Sequence, residues 1–322
     1  TDLLDNYRSK TLSPVQAVEA CLDQIELHGS KLNAFTLVDS DNARKKALES
    51  ENRWQSGKPI GLLDGIPTTI KDLVITKGWP TLRGSRTVSQ QQDWNEDAPC
   101  VERLKENGAI LIGKTTTPEL GHKGVTDSLL QGVTRNPWNL KKTPGGSSGG
   151  ASAAVASGMG QLAIGTDAGG SIRIPAGFTG IYGLKPSFGR VPAYPASPFG
   201  TLAHAGPMTR TVADAAAMLA VLAGSDENDP TSLPDNVSDY LGEIRGGLQG
   251  LRVGFDPEYG SNGVEVETVA AVEEATQALE QLGGRLVRVQ MPAFDSRHQD
   301  AWVTICSAEA AAEHARSRSA GG

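Results

Sequence analysis

Two glycine-rich segments that contain serine, together with one lysine, carry the chemistry available to this sequence. The first segment, residues 144–150, reads Pro-Gly-Gly-Ser-Ser-Gly-Gly, and the second, residues 165–173, reads Gly-Thr-Asp-Ala-Gly-Gly-Ser-Ile-Arg. The glycine pair before Ser171 allows successive backbone N–H groups to turn toward one point, which an oxyanion hole beside a nucleophile requires. A serine hydroxyl is hardly ionised at neutral pH, so nucleophilic chemistry at these serines needs a base.

Lys71 is the best candidate for that base. It directly follows an apolar strand predicted over residues 65–70, and burial of a lysine lowers its pKa and favours the neutral amine. Four other lysines lie in polar loops and are poorer candidates, namely Lys77, Lys123, Lys141 and Lys142. The histidines lie in no motif that pairs them with the serines; they are His28, His122, His204, His298 and His314.

In this combination and order, the motifs resemble the amidase signature family. That family carries Gly-Gly-Ser-Ser-Gly-Gly, then Gly-Thr-Asp-x-Gly-Gly-Ser-Ile-Arg, with a Lys-Asp pair upstream, and all three occur here. Ser171 follows Ser147 by 24 residues, which matches the family's spacing. The likeness runs from about Leu3 to about Leu222 and becomes weaker beyond. The joint signal is specific, whereas any single Gly-Ser run would not be.

The resemblance implies a role for each matching residue. Ser171 attacks a carbonyl and carries the acyl group, Ser147 after a cis peptide relays the proton, and Lys71, neutral at rest, accepts it. Neither a metal nor an organic cofactor is implied. The implied oxyanion donors are the backbone N–H groups of Ala168, Gly169, Gly170 and Ser171. The implied supporting residues are Ser148, Thr166, Asp167 and Arg173.

Other interpretations of these motifs stay open. The 144–150 segment is also compatible with a linker or a phosphate loop, although the GxxxxGK[ST] order is absent. It matches G-x-S-x-G as well, which is typical of an α/β-hydrolase-type esterase, but such an enzyme needs a downstream acid and histidine. Lys71-Asp72 could form a plain surface ion pair. Asp167 and Arg173 are expected to hold the backbone rather than to react.

Three further functions compete with an amidase that acts alone. The glutaminase subunit of the tRNA-dependent amidotransferase resembles this family, but it has a different loop where this chain reads Pro-Ala-Tyr-Pro-Ala-Ser-Pro over residues 192–198. Allophanate hydrolases also resemble the family, but they typically lack the glycine pair that precedes the nucleophile, which is Gly169-Gly170 in this chain. A non-catalytic scaffold with a degenerate site is disfavoured, because all three proposed catalytic positions are filled.

Strands alternate with helices along the chain, which predicts an α/β fold with a mixed central β-sheet and helices on both faces. The expected helices follow Ser13 and cover residues 40–55, 98–106, 151–156, 212–222 and 264–282. The expected strands cover residues 65–70, 109–112, 162–165, 181–184, 251–255 and 285–289. Residues 190–210 are expected to form an ordered loop and residues 225–250 a surface excursion. One domain is expected over residues 1–322, incomplete in its C-terminal portion.

The composition of the chain limits the classes of binding partner that it can have. The net charge of −7 argues against a nucleic-acid or anionic-membrane surface, and no apolar run approaches the length of a membrane span. Three widely spaced cysteines favour a reducing, cytoplasmic environment over a disulfide framework. The expected partner is a small-molecule amide substrate, with neither nucleic acid nor membrane, and a homodimer is compatible with these features.

Overall fold

The computed structural model describes residues 2–197, 199–234, 238–257, 259, 263–292 and 295–319. The chain divides into two compact units, Thr1–Leu241 and Gly242–Gly322. The helices are α1 (Asp2–Ser9), α2 (Pro14–Leu32), α3 (Ser40–Gln55), α4 (Pro99–Glu106), α5 (Gly149–Ala156), α6 (Arg173–Thr179), α7 (Val212–Leu222), α8 (Tyr240–Glu243), α9 (Val266–Gln281) and α10 (Ser296–Ser319). That the whole chain forms one domain stays a prediction.

The first unit contains eight of the strands, and six of these form one sheet in the order β1-β3-β2-β6-β8-β7. The strands β3, β2 and β6 run parallel, whereas β1, β8 and β7 pair antiparallel with their neighbours. These eight strands are β1 (Phe35–Val38), β2 (Pro67–Lys71), β3 (Ile110–Thr115), β4 (Asp127–Ser128), β5 (Gly132–Val133), β6 (Leu162–Asp167), β7 (Tyr182–Gly183) and β8 (His204–Thr209). The pair β4 and β5 forms a separate hairpin.

Helices cover both faces of this sheet because its strands are apolar on both sides. Ile110 and Ile112 of β3 pack with side chains of α2 and α3, whereas Leu111 points to the opposite face and joins the main core with α4 and α7. Alternation along a strand explains this division. On β6, Ala163 packs with α5, and Leu162 and Ile164 belong to the main core. The predicted mixed α/β fold is confirmed.

The start of α2 follows from its sequence, but its end does not. Ser13 accepts a hydrogen bond from Gln16 N–H, and the Gln16 side chain accepts one from Ser13 N–H, which together form a capping box. The helix continues past Gly29, a residue type that often ends helices, to Leu32. Leu32 is buried, and Asn33 takes the left-handed conformation that ends the helix.

Residues 190–210 do not form only a loop, so that prediction is wrong in part. The strand β8 occupies His204–Thr209 and pairs with β6 and β7 inside the sheet. Its sequence, His-Ala-Gly-Pro-Met-Thr, contains glycine and proline, which are both depleted in strands. Pairing with β6 overrides the weak local preference of these residues against a strand. The ladder of hydrogen bonds between β6 and β8 could not be predicted from the composition of the segment.

The second unit is a smaller α/β arrangement. Its strands β9 (Arg252–Phe255) and β10 (Arg285–Arg288) are parallel and are connected through α9, as the alternating pattern predicts. Phe255, Thr276 and Cys306 are buried in it. Among the described residues, no helix of either unit is both long and apolar enough to cross a membrane.

A buried carboxylate ties α3 to the segment before β2. Asp64 is fully buried and accepts hydrogen bonds from the Ser50 hydroxyl, from the Arg53 guanidinium through two nitrogens, and from Ile60 N–H. The Arg53 side chain is 26% exposed. Such a carboxylate is stable only because its oxygens are satisfied by these donors.

We expect Asp64→Ala to lower the free energy of unfolding by about 3–5 kcal/mol, because it leaves the Arg53 charge and a buried hydroxyl without their partner. Urea denaturation measures this as a lower midpoint at an unchanged m-value. The matched control is Asp5→Ala, which breaks the Asp5–Arg8 pair, whose side chains are 74% and 69% exposed. That control should change stability by less than about 1 kcal/mol. If the two substitutions lowered the free energy of unfolding equally, Asp64 would not be the stabilising link between α3 and the segment before β2.

Candidate active site

The candidate site lies at the carboxyl ends of two adjacent parallel strands. Lys71 is the last residue of β2, Asp167 is the last residue of β6, and the two strands pair directly. The segment that carries Ser171 continues from β6 into α6. The segment that carries Ser147 leads into α5, which packs on β6 and β2. Because the carboxyl ends of parallel strands meet at one edge, the sheet brings these residues together.

Lys71 is fully buried, and its contacts are neutral. Its Nζ lies 2.7 Å from Ser147 Oγ and 2.9 Å from Thr166 Oγ1, with the Thr166 carbonyl oxygen 3.4 Å away. Burial lowers the pKa of Lys71 well below its ordinary value, and the negative charge of Asp167 only partly opposes this shift. A lysine in this position can accept a proton from the Ser147 hydroxyl.

Ser147 and Ser148 are fixed by a close approach of the backbone. The peptide bond from Gly146 to Ser147 is cis, as the family resemblance implies. A Cβ on Gly146 would lie 2.6 Å from the Val125 carbonyl carbon, so only glycine fits there. Ser148 N–H donates to the Ser171 carbonyl oxygen at 3.2 Å, and the Ser148 hydroxyl bonds the Thr166 backbone. These bonds hold the two serine segments side by side.

Asp167 organises the loop that carries Ser171. Its carboxylate accepts hydrogen bonds from Gly170 N–H at 2.7 Å and Ile172 N–H at 3.1 Å, and two from the Arg173 guanidinium at 3.0 and 2.9 Å. Burial acts to raise the pKa of Asp167, but the hydrogen bonds and the charge of Arg173 outweigh it and lower that pKa below its ordinary value. Asp167 and Arg173 thus hold the backbone of this loop through hydrogen bonds.

Ser171 is half-buried at the start of the turn before α6. Among the described residues, its hydroxyl has no hydrogen-bond partner, and neither do the backbone N–H groups of Gly169 and Ser171. The Gly170 N–H is different, because it already donates to Asp167. Of the four expected oxyanion donors, Gly170 is therefore engaged in holding the loop, and Gly169 and Ser171 are the ones available to a substrate oxygen.

Asp72 does not form a surface ion pair with Lys71, so that alternative is wrong. Asp72 is fully buried and points away from Lys71, where it accepts hydrogen bonds from Leu82 N–H, Gly84 N–H and the Gln131 side chain. The buried ammonium of Lys114 lies 3.9 Å from it. Nothing in the pattern of residues predicted that Lys114 lies in the interior.

His204 is a site residue that the sequence did not reveal. It starts β8 opposite Asp167, and its Nδ1 lies 3.1 Å from the Asp167 carbonyl oxygen and 2.8 Å from that of Leu202. Two carbonyl acceptors require a proton on Nδ1. His204 therefore holds the end of β6 from the opposite side. Because the strand β8 was not predicted, the position of His204 could not be predicted either.

A metal centre is not supported by the geometry. Among the described residues, no group of three or more histidine, cysteine, aspartate or glutamate side chains is placed to hold a metal ion. The three cysteines, Cys21, Cys100 and Cys306, are buried and free.

Comparison with known proteins identifies the family. The family model described as Amidase matches residues 16–320, and the chain belongs to the amidase signature family. It is 41% identical over 309 residues to a glutamyl-tRNA(Gln) amidotransferase subunit of Anaeromyxobacter dehalogenans (strain 2CP-C), covering 96% of this chain and 62% of that protein. It is 38% identical over 306 residues to an acylamidase of Rhodococcus erythropolis, covering 95% and 64%.

Solved structures give the same result. A bacterial aryl acylamidase of the amidase signature family superposes with a TM-score of 0.89 at 36% identity, covering 98% of this chain and 66% of that one. The native peptide amidase from Stenotrophomonas maltophilia superposes with a TM-score of 0.80 at 32% identity, covering 90% and 61%. The chain thus spans about 62–64% of the length of the curated relatives that it matches.

Proposed function

We propose that this protein hydrolyses a carbon–nitrogen amide bond through an acyl-enzyme on Ser171, with Ser147 as proton relay and Lys71 as base. The observation that carries the proposal is the 2.7 Å contact between Lys71 Nζ and Ser147 Oγ at a fully buried position. A neutral lysine in hydrogen-bond contact with a serine is the arrangement that activates a hydroxyl in the absence of histidine. Membership of the amidase signature family agrees with this chemistry.

The proposed acylation step moves one proton along a chain of three groups. Ser171 Oγ attacks the amide carbonyl carbon, its proton passes to Ser147 Oγ, and the Ser147 proton passes to Lys71 Nζ. The oxyanion that forms accepts hydrogen bonds from the N–H groups of Gly169 and Ser171. The carbon–nitrogen bond then breaks, and the leaving amine takes a proton from Ser147, which Lys71 replenishes. The carbonyl carbon stays bound to Ser171 Oγ as an ester.

Deacylation repeats the same transfers with water as the nucleophile. Water attacks the ester carbonyl carbon and gives its proton to Ser147, which passes its own to Lys71. The bond from Ser171 Oγ to the acyl carbon then breaks, and the proton returns through Ser147 to the Ser171 oxygen. The products are a carboxylic acid and free Ser171, and no metal or organic cofactor enters either step.

A glutaminase subunit of a tRNA-dependent amidotransferase is the second candidate. The 41% identity to the amidotransferase subunit of Anaeromyxobacter dehalogenans favours it. The loop after Arg190, with its run Pro-Ala-Tyr-Pro-Ala-Ser over residues 192–197, departs from the sequence expected of such a glutaminase and favours an amidase that acts alone.

The two candidates differ in what the purified full-length protein does without partners. We expect it to release amine from at least one member of a panel of aliphatic, aryl and peptide amides, with the acyl intermediate detected on Ser171 by mass spectrometry after acid quench. Glutamine is the comparison substrate. Activity that is confined to glutamine and depends on the other amidotransferase components would support the glutaminase instead. No turnover and no acyl-enzyme with any amide would refute both.

A further inference from the structure

The turn over residues 119–122 borders the Ser147 hydroxyl, and the proposed reaction gives this turn no role. A Cβ on Gly121 would lie 3.5 Å from Ser147 Oγ and 2.6 Å from Leu73 Cδ1. Leu73 is only partly buried, so an apolar side chain and a residue without a side chain together flank the hydroxyl. The glycine therefore leaves space directly beside Ser147 Oγ.

Contacts with a second loop hold this turn in an uncommon conformation. Leu120 and Gly121 have φ values of 52° and 70°, and a leucine rarely adopts this left-handed conformation. The Leu120 N–H donates to the Arg83 carbonyl oxygen at 2.7 Å, and the Ser85 hydroxyl donates to the Glu119 carboxylate at 2.7 Å. Such a conformation persists only where surrounding contacts hold it, and it is common at ligand-binding sites. The turn therefore forms a fixed wall beside Ser147.

Two aromatic rings continue this wall. His122 follows Gly121 directly, and its ring stacks on that of Phe199 with centroids 6.1 Å apart and an angle of 17° between the planes. The His122 side chain is exposed and Phe199 is half-buried. Phe199 lies five residues before His204, whose Nδ1 is 3.1 Å from the Asp167 carbonyl oxygen. The ring pair thus connects the turn beside Ser147 with the segment that leads to the end of β6.

The proposed reaction places the leaving nitrogen next to this turn. Ser147 Oγ gives that nitrogen a proton as the carbon–nitrogen bond breaks, so the nitrogen must then lie within about 3 Å of the oxygen. The Cβ position of Gly121 is 3.5 Å from the same oxygen. A substituent carried by the nitrogen therefore lies close to Gly121 and Leu73.

The charged side chains of the turn already have partners. Among the described residues, the Glu119 carboxylate accepts the Ser85 hydroxyl, and the Lys123 ammonium pairs with Asp127 at 2.8 Å. The side chains of Leu73 and Phe199 are apolar. Aromatic rings bind other rings by offset stacking or edge-to-face contact, which gives more than the burial of apolar area alone. A flat, uncharged ring suits this wall better than a charged or strongly polar group.

We propose that Leu73, Gly121 and the His122–Phe199 ring pair form a subsite for an aromatic substituent on the amide nitrogen, so that the substrates are N-aryl amides. This inference rests on the proposed function and names its substrate class. Gly121 determines the specificity, because any side chain there would occupy the space beside Ser147 that the substituent needs. A primary amide such as that of glutamine releases ammonia and makes no use of this subsite.

The test compares the anilides of acetic, hexanoic and benzoic acid with the primary amides of the same acids, using the purified full-length protein. Both amides of one acid form the same acyl-enzyme, so the ratio of their kcat/KM values reports acylation alone. The wild type should cleave at least one anilide. Gly121→Ala should lower the ratio of anilide to primary amide by roughly 10- to 100-fold. Where the primary amide is not cleaved, the rate at which a fluorophosphonate labels Ser171 replaces it as the reference, because its leaving group is only fluoride.

The matched control for this variant is Gly57→Ala. Gly57 has a φ of 68°, close to the 70° of Gly121, and a Cβ there would meet no atom within 4 Å. The two substitutions therefore place the same methyl group on the same left-handed backbone, but only one of them lies beside Ser147. Gly57→Ala should keep the wild-type ratio.

Phe199→Leu tests the ring pair separately and keeps the inference testable if Gly121→Ala does not fold. Leucine retains an apolar side chain but removes the stacking surface, so the same ratio should fall by roughly 2- to 10-fold. The control is Phe178→Leu, which changes a phenylalanine of α6 that is 56% exposed. That control should keep the wild-type ratio.

Each outcome decides the inference. An unchanged ratio in either folded variant overturns the subsite, and an equal loss on both amides in Gly121→Ala would show that this glycine only positions Ser147. If the fluorophosphonate labels Ser171 but the wild type cleaves none of the three anilides, the aryl substrate class is wrong and the proposed nucleophile stands. Failure of the proposed function looks different, because then Ser171 is not labelled and no amide is cleaved.

Discussion

Ser171→Ala is expected to lose all covalent labelling by a fluorophosphonate and to lower amide hydrolysis by roughly 10⁴- to 10⁶-fold. The Ser171 hydroxyl is half-buried and has no hydrogen-bond partner among the described residues, so its removal leaves no buried group unsatisfied. The fold should therefore persist while the nucleophile is lost. Intact-protein mass spectrometry measures the adduct, and peptide mapping of the wild type should place it on Ser171.

The matched control is Ser157→Ala. Ser157 is the C-cap residue that follows α5, and its hydroxyl is buried and has no hydrogen-bond partner among the described residues. The same chemical change there should leave the adduct and the hydrolysis rate intact. An adduct mapped to Ser147 or Ser148 would instead favour the α/β-hydrolase interpretation of the Gly-x-Ser-x-Gly match. Retention of the adduct in Ser171→Ala would show that Ser171 is not the nucleophile.

The central part of the fold was predictable because local signals agree with tertiary structure there. The apolar run before Lys71 predicted a buried strand, and β2 covers Pro67–Lys71 with every residue buried. The helix over residues 40–55 was predicted with its observed bounds. The glycine-rich segments 144–150 and 165–173 follow or precede such strands and helices, so they could be predicted to lie near each other at one edge of the sheet.

The parts that sequence could not provide depend on contacts between distant segments. The predicted strand over residues 109–112 continues through Lys114 to Thr115, all of it buried. A lysine normally ends an apolar pattern, and Lys114 is tolerated inside only because Val74, Thr81 and Asp72 surround it. The strand β8 and the position of His204 were missed for the same reason, since pairing with β6 decides both.

Lys71→Met is expected to lower kcat/KM by roughly 10²- to 10⁴-fold and to remove the ascending limb of the pH profile. Lys71 is buried with a pKa well below its ordinary value, caused by desolvation and only partly opposed by Asp167. As pH rises through that lowered pKa, the ammonium loses its proton and becomes able to accept one from Ser147. The rate should therefore rise with pH in the wild type. Methionine offers no proton acceptor, and its apolar side chain fits a fully buried position.

Two further variants separate the base from a charge or a packing effect. Lys71→Arg keeps a positive charge but cannot give up its proton at accessible pH, so it should be as inactive as Lys71→Met. Lys141→Ala removes an exposed lysine from a loop and should keep both the rate and the limb. The measurement is kcat/KM against pH for the four proteins, with circular dichroism to confirm that each is folded. If Lys71→Met keeps the ascending limb, the titrating group is another residue. If Lys71→Arg retains activity close to the wild type, proton transfer to Lys71 is not part of the reaction, because a guanidinium cannot accept the Ser147 proton.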